Sequence, residues 1–385
     1  MTGAIIIEGH VQGLANLRAL GSRGIPVFVV DKNDCLARYS RYCLQYFKCP
    51  DYSGDDFADF LITLAGQQDI NNWCLIPSND HAVMTISRNK ARLSKHFAII
   101  TPGSEIIEKI LNKQNLLTIA SSMSIPIPAS YFDPREIENG KYPGISFPLI
   151  TRGKYGLSFY RKTKEKAYIS KNIIEFKKQM QEIRLKGALE YAFTQEVIPL
   201  TKDNRTVSFV SFSVNGEMKT FWMGVKLRDH PFNFGTATFT KSIYIEGLIE
   251  PSRKIIRELS YTGVCEIEYL RDPRDNEYKL IEINARTWLW VGHARETGID
   301  FTLMIYNHLN NIEQEFPSDY LLDHKWINWL TDVPNSLMAI VKGKLPLREY
   351  LSSLKGEKVK AIFHKKDPKP VFAFFWLLLT VFRKR

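Results

Sequence analysis

The sequence predicts a mixed α/β and α+β protein: a small open α/β domain, then two α+β lobes, then a C-terminal helical extension. Three observations carry this. The first is the opening, where the apolar run 4–7, the turn Gly9-His10-Val11-Gln12-Gly13, a helical spacing through Leu14, Leu17 and Leu20, and a second apolar run over 27–30 closed by Asp31 read as a βαβ unit. The second is that this alternation continues to about residue 105. The third is that the later chain is patterned as hairpins instead, which places the boundaries at 1–105, 106–310 and 311–385.

Within the first domain the pattern predicts a helix over 55–65, a strand over 73–76, a capping cluster Pro77-Ser78-Asn79-Asp80, a helix to residue 94 and a short strand over 97–100. The Gly9 to Gly13 spacing lacks the G-x-G-x-x-G turn that a dinucleotide needs, which argues against NAD. A helix over 105–123 carrying Lys113 follows, and Ile125-Pro126-Ile127-Pro128 fixes an extended exit. The next strand, over 147–152, empties into Gly153-Lys154-Tyr155-Gly156-Leu157-Ser158. Glycines beside Arg152 and Lys154 suit a loop covering polyphosphate, and they equally suit a plain hairpin turn. Further on come a helix over 171–185, a strand over 192–198 stopped by Pro199, and two strands bracketing Asn215-Gly216. The cluster Lys226-Leu227-Arg228-Asp229-His230-Pro231 follows, in which His230 is assigned no catalytic role.

The most informative stretch is 263–286. Two alternating runs flank the turn cluster Asp272-Pro273-Arg274-Asp275-Asn276, and folding them about Asp275 sets Glu268 opposite Glu282 and Glu266 opposite Asn284. Ile267, Tyr269, Ile281 and Ile283 then share the core face. Like charges facing each other across a strand pair repel. A divalent cation reverses the sign, and Glu268, Glu282 and the Asn284 amide oxygen form a hard oxygen set suited to Mg²⁺, whose other positions go to water and phosphate oxygens. Arg286 on the same face adds a donor fork for a phosphate. A solvated acidic face is the competing reading.

Composition narrows the functional classes. The five cysteines include no C-x-x-C pair, so neither a zinc site nor a disulfide framework is expected and the setting is read as cytoplasmic. No secretory leader is read at the N-terminus. The net charge of +11 is concentrated from residue 341 onward, where twelve Lys and Arg meet three acids, leaving +2 for the rest. That distribution, with no nucleic-acid-binding motif, argues against a nucleic-acid partner.

Taken in order, these landmarks resemble the ATP-grasp superfamily of carboxylate–amine ligases, the group that includes the large subunit of carbamoyl-phosphate synthase. The resemblance covers about residues 1 to 310 and rests on the glycine turn, Lys113, Ile125-Pro126-Ile127-Pro128, the 147–152 strand with its glycine loop, Gln195 to Pro199, and Glu282-Ile283-Asn284-Ala285-Arg286. It implies a pre-ATP-grasp domain followed by a two-lobed ATP-grasp fold, with ATP between the lobes. Glu196, Val197 and Ile198 would touch adenine, largely through backbone, and Lys113 and Arg152 would contact phosphates. Glu268, Glu282 and Asn284 would hold Mg²⁺ (or Mn²⁺), with Arg286 near the transferred phosphate. Where the family usually has lysine this chain has Arg152, so either Arg152 substitutes or Lys154 takes part.

The implied chemistry is activation of a small-molecule carboxylate as an acyl phosphate, followed by attack of an amine. Such chemistry asks for positioning and charge neutralisation more than for a protein nucleophile. Arg228 and Lys226 are candidates for gripping the acceptor carboxylate, or else a solvated basic strand end. Specificity is assigned to the first domain and to the loops over 226–236. A non-catalytic ATP-binding module acting in assembly at a membrane surface is the alternative, and a homo-oligomer is left open.

Trp326 and Trp329 are read as packing residues of a helical region. The run 371–382, flanked by Lys365, Lys366 and Lys369 and by Arg383, Lys384 and Arg385, is apolar throughout. It falls short of the roughly 20 residues a bilayer span needs. It is expected either to lie in the membrane surface at the inner face of the cell membrane, which would suit an envelope or glycan precursor as substrate, or to fold onto the protein body or into a dimer interface.

Overall fold

The computed structural model describes residues 2–199, 201, 204–230 and 235–383, and three sheets organise them. Strands β1 (Ala4–Ile7), β2 (Val27–Asp31), β3 (Gln45–Lys48), β4 (Trp73–Pro77) and β5 (Phe97–Ile99) form a parallel sheet in the order β3-β2-β1-β4-β5. Every residue of β1 is buried, as a central strand covered on both faces requires, which is why its sequence is continuously apolar. The chain builds outward from β1 to β3 and then crosses back to lay β4 on the other side. The carboxyl ends of β1 and β4 therefore frame the crevice where strand order reverses.

The second sheet holds β6 (Ser130–Tyr131), β7 (Leu149–Gly153), β8 (Ala167–Ser170) and β9 (Ala192–Glu196), antiparallel in the order β6-β9-β7-β8. Along β7, Leu149, Thr151 and Gly153 are buried, with Leu149 against Phe159, Phe176, Met180 and Ile183, and Ile150 and Arg152 take the other face. Any side chain at Gly153 would put its Cβ 2.3 Å from that of Phe159, so glycine there serves helix–strand packing.

The third sheet takes β10 (Thr206–Val214), β11 (Glu217–His230), β12 (Thr236–Ser242), β13 (Gly263–Arg271), β14 (Tyr278–Asn284), β15 (Lys325–Ile327) and β16 (Lys358–Lys360) in the order β14-β13-β10-β11-β12-β15-β16. The β10–β11 turn is Asn215-Gly216, both with positive φ (50° and 79°), as a tight hairpin demands.

Three expectations are corrected here. The single helix over 105–123 is two, Ser104–Leu111 and Lys113–Ser122. Asn112 leaves the helical region between them, and its side chain accepts from the N–H groups of Gln114 and Asn115. The glycine loop after β7 is shorter than expected, because a helix already begins at Gly156 (Gly156–Thr163). The C-terminal extension is not only helical: β15 and β16 extend the third sheet, and Trp326 lies buried on β15.

The tail helix Lys369–Arg383 folds onto the protein body along one side. Ala373 is buried, and Val371, Phe374 and Leu377 pack onto the core that includes β1 and the helix Val11–Gly21. Asp367, fully buried, fastens the segment by accepting from Arg18 Nε (2.9 Å), Ser40 Oγ (2.7 Å) and the Arg41 N–H (2.9 Å). Phe372, Phe375 and Trp376 remain 71%, 54% and 58% exposed, so the helix presents a second apolar face outward. No helix among the described residues is long and apolar enough to cross a membrane. The side chains from Leu378 on, Lys384, Arg385, Pro231 and the middle of the 226–236 segment lie outside the described residues.

Candidate active site

The β13–β14 register sets Glu268 against Glu282 and Glu266 against Asn284. A bulge follows Glu268, so that Tyr269 meets Leu280 and Leu280 takes the core position expected of Ile281, but it lies on the turn side and leaves the acidic pair in place. Each carboxylate has a lysine on it. Lys226 of β11 places Nζ 2.7 Å from Glu268 Oε1, and Lys113, the first residue of its helix, pairs with Glu282 Oε2. The Asn112 cap fixes where that helix starts, and the Lys113 N–H donates to the Lys154 carbonyl (2.9 Å), tying the helix to the end of β7.

A third acid completes the group. Glu266 is buried, accepts from Ser208 Oγ (2.5 Å) and from Asn284 Nδ2 (3.0 Å), and is pushed up to about 7 by burial and by the Glu268 charge. Glu282 is instead held down to about 2, chiefly by Lys113, with Arg152 and Lys226 adding to it. Arg286 joins the hairpin to the first domain: Nε donates to Asp80 Oδ1 (2.6 Å), Nη1 to the Thr287 carbonyl (3.1 Å), and Nη2 to Asp80 Oδ2 (3.3 Å) and Asn284 Oδ1 (3.2 Å).

Arg152 donates from Nη2 to Gln195 Oε1 (2.5 Å) and stacks 5.4 Å over the Phe193 ring. Its Nε is buried with no hydrogen-bond partner among the described residues, a cationic donor of the kind an anionic ligand satisfies. Lys154 faces elsewhere, lining an open cleft of about 430 Å³ with Ser130, Asp133 and Glu190. Of these two cations it is Arg152 whose charge reaches Glu282.

At the hinge, the Glu196 carboxylate accepts from the Ala129 N–H (2.9 Å) and pairs with Arg274 (2.7 Å), while the Glu196 and Val197 N–H groups go to Ala129 O (3.0 Å) and Pro148 O (3.1 Å). The Glu196 and Val197 N–H groups are thereby taken, while Val197 is half-buried and Ile198 buried.

Arg228, a candidate for gripping the acceptor carboxylate, is committed to other partners in this structure. Its Nε and Nη2 each lie 2.8 Å from the Asp332 carboxylate, its Nη1 donates to Ser353 Oγ (2.7 Å), and the guanidinium is held between Phe239 and Tyr350. With all three nitrogens engaged, it fastens the C-terminal helices Trp329–Val341 and Leu347–Ser353 to β11, and gripping a carboxylate would require it to release Asp332. Lys226, offered for the same task, is engaged with Glu268.

Gln195, Asp80 and the buried state of Glu266 were missed by the sequence reading. Strand alternation alone puts Gln195 on the Arg152 face and Glu266 on the Glu268 face, so both were within reach; Asp80 is 206 positions from Arg286 and carried no local signal. Among the described residues no three His, Cys, Asp or Glu side chains converge on a single metal position. The donor set is two carboxylates and an amide oxygen, which fits a Mg²⁺ ion that takes its remaining ligands from phosphate and water.

Comparison with known proteins follows the same lines. A family model described as the ATP-binding domain of the carbamoyl-phosphate synthase L chain matches residues 236–305. A D-aspartate ligase from Enterococcus faecium is 24% identical over 223 residues, 56% of this chain and 53% of the relative, so the match spans about half of that protein. Among solved structures, an N5-carboxyaminoimidazole synthetase from Staphylococcus aureus aligns with a TM-score of 0.65 at 14% identity, over 96% of this chain and 94% of its own. A biotin carboxylase from Campylobacter jejuni gives 0.65 at 14% identity (84% and 74% covered), and an L-amino acid ligase from Bacillus licheniformis 0.61 at 14% (80% and 74%).

Proposed function

We propose that the chain is a member of the ATP-grasp superfamily and an ATP- and Mg²⁺-dependent carboxylate–amine ligase, a reading supported by the matching family model over residues 236–305 and by the fold it shares with such enzymes. The supporting observation is the opposed pair Glu268 and Glu282, set face to face across two strands and bracketed by Lys113, Lys226 and Arg152. Repelling carboxylates kept together amid cations suit a site that exchanges one set of positive charges for another as substrates arrive.

In this reading Glu268, Glu282 and the Asn284 oxygen hold the metal, and Mn²⁺ suits the same donors. A Mg²⁺ ion held by these residues would offset the charge of the transferring phosphoryl group. Lys113 and Arg152 neutralise the phosphates, Glu196 to Ile198 border the base, and Arg286 faces the transferred group. A carboxylate oxygen takes the γ-phosphoryl group, releasing ADP. The amine nitrogen then bonds to the acyl carbon and phosphate leaves with the C–O electron pair, while the nitrogen loses its surplus proton. The first domain, to about residue 105, and the lobes after it divide the work between substrate and nucleotide.

Two measurements address this reading. Arg152→Ala raises the KM for ATP on the order of 10- to 100-fold, the loss of one charge-assisted contact, in steady-state ADP release. ATP binding without turnover on any acid and amine pair would favour the non-catalytic module. The outward face Phe372, Phe375 and Trp376, beside Lys365, Lys366 and Lys369, is proposed to rest on anionic lipid, a placement that serves a membrane-held envelope acceptor. The protein is expected to sediment with phosphatidylglycerol vesicles at low salt and not with phosphatidylcholine vesicles, and Phe375→Ser with Trp376→Ser to abolish it. Sedimentation unchanged by the double replacement would contradict the placement.

A further inference from the structure

Resting on the ligase reading, we propose that Glu266 is a positioning residue: it holds the Asn284 amide so that Oδ1, and not Nδ2, is the atom presented to Mg²⁺. Of the three acids gathered on this face, Glu266 is the one the proposed chemistry leaves without a task. Glu268 and Glu282 each carry a lysine, whereas Glu266 accepts from a hydroxyl and an amide. It is also buried, where a carboxylate is costly to keep unless its oxygens are engaged.

Both oxygens are engaged, each by a different strand. Oε1 accepts from Oγ of Ser208 (2.5 Å), a buried residue of β10, and Oε2 accepts from Asn284 Nδ2 (3.0 Å) on β14. β13, which carries Glu266, lies between those two strands, and the register sets Glu266 directly opposite Asn284. The serine thus anchors the carboxylate from within the sheet, and the carboxylate holds the amide on the edge strand.

The other end of the same amide is held as well. Asn284 Oδ1 accepts from Arg286 Nη2 (3.2 Å), and Arg286 is itself tied to Asp80 (2.6 Å). Turning the amide over would set its oxygen against the Glu266 carboxylate and its NH₂ against the guanidinium, so the two contacts agree on a single orientation. That orientation matters to a metal. The lone pair of an amide nitrogen is delocalised into the carbonyl and binds cations poorly, while the oxygen keeps a second lone pair beyond the one Arg286 uses. A residue that fixes a metal donor in this way governs affinity without touching the ion.

Metal binding, read apart from turnover, tests this. Mn²⁺ is titrated into wild type, Glu266→Met and Glu266→Gln, with ADP kept below the protein concentration, and free Mn²⁺ is followed by its electron paramagnetic resonance signal. Methionine fills a similar volume but offers no comparable acceptor, and it is expected to raise the Kd for Mn²⁺ on the order of 10- to 100-fold. Glutamine keeps an oxygen for Asn284 and can donate to the Ser208 hydroxyl, so its Kd is expected within about threefold of wild type. The Kd for ADP in EDTA should stay within about twofold in both, which separates a misplaced donor from a distorted site. A glutamine variant weakened as far as methionine would make Glu266 a donor through its charge, and a folded methionine variant with wild-type affinity would give it no part; either overturns the inference. If Glu266→Met does not fold, Ser208→Ala decides, since it frees the other oxygen of Glu266 and alters no metal donor: a Kd raised by about threefold or more supports the anchor, and an unchanged one overturns it. Wild type that takes up no Mn²⁺ overturns the metal assignment and this inference together. Metal binding as expected with no turnover on any acid and amine overturns the ligase reading alone.

Discussion

Glu282→Ala is expected to reduce ADP release by about 10³-fold or more, the scale at which removal of a group stabilising transferring charge acts. The side chain is one of two carboxylates that meet across the hairpin, and it carries the Lys113 ion pair. Its loss removes a metal donor and leaves Lys113, 18% exposed, without that partner. Glu282→Gln keeps the shape and loses the charge, and its turnover is expected to fall nearly as far. Both variants should keep a cooperative thermal transition, since the pair is open to solvent on one side; circular dichroism separates lost chemistry from lost fold. A Glu282→Gln enzyme with wild-type kcat at saturating Mg²⁺ would remove this carboxylate from the metal site.

Asp332→Ala is expected to destabilise the protein by about 3–5 kcal/mol, the cost of breaking a buried ion pair and leaving its partner charged. Asp332 is fully buried, accepts twice from Arg228 and once from Thr238 Oγ1 (2.9 Å), and Arg228 would remain enclosed by Phe239 and Tyr350. That is a large part of the roughly 5–15 kcal/mol that holds a domain together. Chemical denaturation measures it, and replacing both partners by apolar residues of similar volume should recover most of the loss. A stable Asp332→Ala protein with a raised substrate KM would return Arg228 to the role the sequence suggested.

What could be read from the sequence was local. The β13–β14 register followed from alternation about one turn cluster, and the Asn215-Gly216 turn from the backbone conformation those two residues tolerate. The βαβ opening followed from periodicity within some thirty residues. The site's charge network is not local. Lys113 and Glu282 are 169 positions apart, Arg228 and Asp332 are 104, and Arg18 and Asp367 are 349. Nothing within a window around Arg228 distinguishes a cation that grips substrate from one that fastens a distant helix.

The short strands were missed for a related reason. β6 has two residues and β15 and β16 three each, which gives alternation little to register, and they lack the regular α/β spacing from which the equally short β5 was read. The glycine-rich run after β7 was overextended because Gly156 begins a helix, while the glycine whose role is clearest, Gly153, serves packing against Phe159. Asn112, a residue common at helix starts, was the available sign that the 105–123 helix is two.

The central claim, that a carboxylate is activated by phosphoryl transfer, is tested most directly by following oxygen. The carboxylate that supports ADP release is supplied with both carboxyl oxygens as ¹⁸O, together with Mg²⁺, ATP and an amine, and the released phosphate is analysed by mass spectrometry. An acyl phosphate requires one ¹⁸O in each phosphate released with product, and that is the result predicted. Phosphate free of label, or label recovered in AMP, would mean that no acyl phosphate forms, and the ligase mechanism assigned to Glu268, Glu282, Asn284 and Arg286 would be wrong.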